Sequence, residues 1–211
     1  MNFTHAQLQN LFELLSLRTQ KLPPPASEAI VNAYGRDPFL LLIFCILSLR
    51  TRDAVSYAAA QRLFLVAKTA KDIAQMNVDI LAKIIYPVGF YKRKAMQIIK
   101  CSQIILEKFH SHVPNTENEL LSLPGVGRKT MNLVLQEGFF LPALCVDTHV
   151  HRIANKLGLV HTKTPEDTEY ALKQLLPQTT WRDWNHVLLI YGQYVCPPRK
   201  HQCDNDPEKH P

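Results

Sequence analysis

The sequence predicts an all-α protein built as two helical domains. Three observations carry that expectation. Helix start and stop signals recur along the chain, strand signals are nearly absent, and a short turn with two glycines joins two helical segments past its middle.

The first helix opens with a capping-box pattern, Thr4 with Gln7, and with Phe3 and Leu8 placed as a hydrophobic staple. Leu8, Leu11, Phe12 and Leu15 follow at helical spacing, and Pro23, Pro24 and Pro25 end the run. Asp37-Pro38 reads as an N-cap and a first helical residue, opening an apolar helix to about Ser48. Asp53 is expected to cap the next helix, which carries Val55, Ala58, Ala59 and Leu63. Shorter helices fit 70–75 and 79–86, with Gly89 as a C-terminal stop, and a longer one fits Lys92 to Phe109. Thr116 and Glu119 form a second capping box. The turn LPGVG (123–127) then leads into a helix from Arg128 that Gly138 and Pro142 end. Asp147 is placed to cap a helix to about Leu157, stopped by Gly158, and Thr164-Pro165 opens another that Pro177 ends. The last helix runs from about Thr180 to Tyr194, with Trp181, Trp184, Val187, Leu188 and Tyr191 forming a core stripe.

Composition narrows the class of partner. The 211 residues are 46% hydrophobic, which allows a packed interior and argues against wholesale disorder. The formal charge of +6 and the pI of about 9.1 favour a polyanionic partner, although mildly basic proteins without one are common. The longest apolar run, Phe39 to Leu47, is too short to span a bilayer and reads as a buried helix. The N-terminal MNFTHAQLQN lacks a cationic region followed by an apolar one, so no secretion signal is expected and the cytoplasm, nucleoid or another DNA-containing compartment is. Five cysteines, with Cys45 and Cys145 in apolar surroundings, suggest a reducing compartment and no disulfide framework.

The local chemistry centres on the hairpin. Gly125 and Gly127 let the backbone turn sharply and approach a partner closely. The amides that start the next helix, together with its dipole, suit a phosphate, and such a contact reads no base. An ordinary helical hairpin turn is the alternative. Lys129 falls in the first turn of that helix, where the positive helix end, and burial if present, disfavour the ammonium and favour a nucleophilic amine. Local sequence alone favours a solvated lysine. Asp147, after PALCV and before Thr-His-Val-His-Arg, reads as a helix cap or as a rigidly held carboxylate for chemistry.

The stretch LPGVGRKTMNLVLQEGFFLPALCVDTHVHRIANKLGL resembles the endonuclease III family of helix-hairpin-helix DNA glycosylases. The match includes the hairpin, the lysine two residues after its last glycine and the VDTH aspartate, and Lys129 and Asp147 stand 18 positions apart (147 − 129), as in the family. Weaker similarity covers ILSLRTRD (46–53), VGFYKRKA (88–95) and YGQYVC (191–196). The resemblance implies two helical domains flanking a DNA-binding cleft. Residues 31–142 would form a helical barrel with the hairpin, and 1–30 plus 143–211 the second domain. It implies a monomeric base-excision-repair glycosylase with AP lyase activity, acting on double-stranded DNA with damaged bases or abasic sites. The substrate would be an oxidised pyrimidine, flipped out of the duplex. Lys129 would attack C1′, expel the base and form a Schiff base before β-elimination, with Asp147 stabilising developing positive charge. Alternatives are a thymine or uracil mismatch glycosylase and a DNA-binding hairpin protein without catalysis.

By the same resemblance, Gly125, Val126, Gly127, Arg128, Thr130 and His149 contact DNA. Arg50 stands where the family usually carries a glutamine that fills the gap left by the flipped base, and Phe90 where it carries a leucine wedge. Phe90 also reads as a core aromatic in a loop. Lys94, with Lys92 and Arg93, reads as a phosphate contact or as part of a solvated basic run. Many family members bind a [4Fe–4S] cluster through C-x6-C-x2-C-x5-C. Here Cys196 and Cys203 fit the first spacing, Asp206 occupies the third position, and the sequence ends before a fourth. The expectation is no cluster, with Cys196 and Cys203 as remnants. A mononuclear metal site using His201 or His210 is the alternative.

Overall fold

A computed structural model describes residues 3–198, so Cys203, His201, Asp206 and His210 lie outside the described residues. All regular elements among the described residues are helical. No described helix is long and apolar enough to cross a membrane. The chain divides into two compact units, Met1–Pro25 with Pro142–Pro211, and Ala26–Leu141.

The continuous unit contains α2 (Ala26–Tyr34), α3 (Pro38–Ser48), α4 (Asp53–Val66), α5 (Ala70–Ala74), α6 (Val78–Ile85), α7 (Tyr91–Lys108), α8 (Glu117–Leu121) and α9 (Arg128–Leu133). Helix α3 is its centre. Asp37 caps it, its Oδ1 accepting from the amides of Phe39 at 2.8 Å and Leu40 at 3.2 Å, and Phe39 to Leu47 are all buried. Helices α5 and α6 pack on α7, and α3 meets α2, α4, α7 and α9. Helix α2 has no counterpart in the sequence reading, because nothing caps it visibly and the proline run before it reads as a break. It packs on α3 and α4, so this unit begins at Ala26 rather than at residue 31.

The discontinuous unit contains α1 (His5–Thr19), α10 (Thr148–Lys156), α11 (Pro165–Leu175) and α12 (Trp181–Ile190). Its core gathers Leu8, Leu11 and Leu15 with Val150, Ile153, Leu172, Trp184, Leu188 and Tyr191. The stripe expected on the last helix is therefore core. Phe12 lies against Trp184, with ring centroids 5.3 Å apart. The Thr4–Gln7 box forms in both directions, at 2.8 and 3.2 Å.

Three local expectations change. Arg52, not Asp53, occupies the N-cap of α4, and no side chain caps that end. Gly89 does not terminate α6, which ends at Ile85 before a cis Tyr86–Pro87 bond. Thr116 accepts from the Glu119 amide at 3.4 Å, but the Glu119 carboxylate accepts from the Thr116 hydroxyl at 2.6 Å instead of from its amide. Cys45, Cys101 and Cys145 are buried thiols. Two helices also continue into π-helical segments, Val134–Gly138 after α9 and Tyr191–Val195 after α12.

Candidate functional site

The hairpin lies in the continuous unit. Leu120 and Leu123 are buried and anchor α8 and the turn. Gly125 has φ +84°, the left-handed region where a side chain is strained, so a glycine is needed there. Gly127 differs: its backbone is extended, it is exposed, and a Cβ on it would meet nothing within 4 Å. No intramolecular constraint therefore calls for a glycine at 127. Gly127 also caps α9 without a side chain, so its first amides receive no side-chain cap.

Around the turn, Val126 is 9% and Thr130 2% exposed, so both side chains belong to the core, not to a DNA-facing surface. Arg128 is half-buried and Lys129 exposed. The helix itself passes into the π segment 134–138, where Gly138 packs against Pro38: a Cβ would lie 3.4 Å from the proline ring.

Asp147 lies in the discontinuous unit. The run Ala143 to Val146 is buried, and Asn185, itself buried, donates to the Cys145 carbonyl at 2.6 Å. That holds the approach to α10. Asp147 is its N-cap, with Oδ1 accepting from the amides of His149 at 2.8 Å and Val150 at 3.0 Å. The half-buried His149 turns Nδ1 to the carbonyl of Gly192, 3.1 Å away. Because a carbonyl only accepts, Nδ1 carries the proton in that contact. Arg152 donates to the same carbonyl at 2.9 Å and reaches Cys196 Sγ at 3.7 Å. Burial lowers the Arg152 pKa, and the Asp147 carboxylate opposes that shift. Arg152 was not singled out from sequence. Its signal was present as the next turn of the VDTH helix, but only the π segment 191–195 brings a carbonyl to it.

Arg50 and Phe90 are both exposed, Phe90 at 63%, which removes the core reading of Phe90. Both are left-handed, with φ 51° and 58°. Lys94 is a correction. It is 4% exposed, so it faces neither phosphate nor solvent, and Nζ donates to the Leu47 and Leu49 carbonyls and to Thr51 Oγ1. Desolvation pulls its pKa from the ordinary 10.5 to about 8.

The family described as HhH-GPD superfamily base excision DNA repair protein matches residues 43–178, which include the hairpin, Lys129 and Asp147. An endonuclease III of Thermotoga maritima is 47% identical over 173 residues, 82% of this chain and 81% of the relative. This chain belongs to the endonuclease III family. Solved members share the architecture. A non-covalent endonuclease III–DNA complex superposes with TM-score 0.86 at 30% identity, covering 98% of this chain and 94% of that one. A trapped endonuclease III–DNA covalent intermediate superposes with TM-score 0.81 at 30% identity, covering 97% and 93%.

Proposed function

We propose that this base-excision DNA glycosylase and AP lyase acts on oxidised pyrimidines, with Lys129 as nucleophile and Asp147 as the essential carboxylate. The observation that carries the reading is Lys129 exposed in the first turn of α9, two residues after a glycine that no intramolecular packing requires. An extended glycine in open space leaves room for a phosphate at amides that no side chain caps. A backbone held there by DNA would place the Lys129 amine at the sugar.

The neutral amine of Lys129 forms a bond to C1′ with its electron pair as the glycosidic bond breaks. The base leaves with that bond's electrons and takes up a proton. Loss of the amine proton and opening of the sugar give the Schiff base. Removal of a C2′ proton then expels the 3′ phosphate. Asp147 stabilises the positive charge that develops on the sugar and assists amine deprotonation. Arg50 and Phe90 fill the gap left in the duplex, and Arg128 and His149 contact phosphate. Borohydride reduction on abasic-site DNA tests the nucleophile: the parent chain gives a covalent adduct and Lys129→Ala gives none. An adduct with Lys129→Ala moves the nucleophile elsewhere. A panel of thymine glycol, dihydrouracil and uracil-mismatch duplexes tests the lesion class, and preference for the mismatches overturns it.

The protein also works without a [4Fe–4S] cluster, as a monomer. The support is the donor set in the sequence: Asp206 stands at the third ligand position, where the cluster needs a thiolate. Iron by elemental analysis together with visible charge-transfer absorption in the purified protein overturns this.

A further inference from the structure

The buried ammonium of Lys94 has no place in the chemistry above. Its donors all go to one short segment, the end of α3 and the turn that follows it: the Leu47 carbonyl at 2.8 Å, the Leu49 carbonyl, and Thr51 Oγ1 at 3.1 Å. That segment carries Arg50. The backbone of the same lysine serves the other turn, its amide donating to the Phe90 carbonyl at 3.0 Å in the first turn of α7. The side chain of Lys94 therefore holds the Arg50 turn from the first turn of the helix that Phe90 starts.

Two further contacts join the turns. The Gly89 amide donates to Thr51 Oγ1 at 3.1 Å, and a Cβ on Gly89 would sit 2.7 Å from the Arg50 carbonyl oxygen. The Thr51 hydroxyl is fully used, accepting from Gly89 and Lys94 and donating to the Leu49 carbonyl at 3.2 Å. Left-handed backbone at a non-glycine residue costs roughly 1–2 kcal/mol and persists where the surroundings over-determine it. Here two such residues, Arg50 and Phe90, sit on turns welded by a charge stripped of water.

We propose that Lys94 is a positioning residue for lesion recognition, locking the Arg50 and Phe90 turns together so that both side chains enter the duplex as one preset wedge. This rests on the reading of Arg50 and Phe90 as gap fillers. Preset side chains avoid the ordering cost that two independent loops would meet on binding. A basic patch for phosphate would leave the ammonium in water, and a purely structural lysine would have no reason to gather both left-handed exposed residues.

The test uses a duplex with a stable abasic-site analogue opposite 2-aminopurine, whose fluorescence rises when its stacking is disturbed. The full-length protein should raise the signal at saturation. Lys94→Met keeps the stem and removes the donors, and it should slow the rise by about tenfold while DNA still binds. Thr51→Val removes the hydroxyl hub but keeps the ammonium, and it covers the case that Lys94→Met fails to fold. It should give an intermediate slowing. If Arg50→Ala and Phe90→Ala lose the signal while Lys94→Met and Thr51→Val keep it, the positioning role is wrong and the gap fillers stand. If Arg50→Ala and Phe90→Ala also keep it, the gap-filler reading fails, and this proposal with it.

Discussion

A Cβ added to Gly89 would lie 2.7 Å from the carbonyl oxygen of Arg50, closer than side-chain carbons approach backbone. The contact is backbone, so nothing flexible can move aside. Gly89→Ala should push the two turns apart and cost roughly 1–3 kcal/mol in urea unfolding, as overpacking does. An unchanged midpoint would mean that the turns slide freely.

The two hairpin glycines should respond oppositely. Gly125→Ala meets only ordinary contacts with Gln97 but is forced into φ +84°, and should cost about 1 kcal/mol or more. Gly127→Ala meets open space in an extended conformation and should leave stability within about 0.5 kcal/mol. Yet its methyl would occupy the place proposed for a phosphate, so the affinity for abasic-site DNA should fall. Equal affinities for parent and Gly127→Ala would remove the phosphate site from the hairpin.

Asp147 is a cap in the fold and a carboxylate in the chemistry, and two substitutions separate these roles. Asp147→Asn keeps an oxygen for the amides of His149 and Val150 and should melt close to the parent. Asp147→Ala should lose about 1 kcal/mol. Both should lose most base excision, because neither carries charge. An active Asp147→Asn would reduce the residue to its capping role.

Lys94 makes stability depend on pH with a definite sign. Its folded pKa, about 8, lies below the ordinary 10.5, so between these values the unfolded chain binds more protons. Stability therefore rises with pH through this window, and is lost as pH falls toward 8. The parent should gain on Lys94→Met as pH rises from 8 to 10.5 in parallel denaturant titrations. A constant difference would show that Lys94 keeps its ordinary pKa.

Much of this was legible in sequence where one residue decides a local outcome. Thr4, Asp37 and Asp147 cap the helices they were expected to cap, because each needs only an oxygen and the amides two or three positions on. Lys94 was misread because it stands in the run Lys92-Arg93-Lys94, which looks solvated. The corrective signal was there: Lys94, Ile98, Cys101 and Ile105 fall on one helical stripe, and the buried face of α7 passes through the lysine. The contacts of Gly89 with Arg50 and of Arg152 with Gly192 were not legible, since each pair lies on distant segments. Neither was α2, which lacks a visible cap.

The π segment Tyr191–Val195 sets a rule about chain length rather than composition. A π turn holds one residue more than an α turn, so it leaves carbonyls out of the i→i+4 ladder while the helix beyond keeps its phase. Deleting a single residue there would restore α register and remove the widening that turns the Gly192 carbonyl toward His149 and Arg152. The carbonyl that His149 and Arg152 share would return to the helix's own ladder. A shortened or grafted version of this helix must therefore keep the residue count of 191–195 while its side chains vary, and natural insertions or deletions should avoid it.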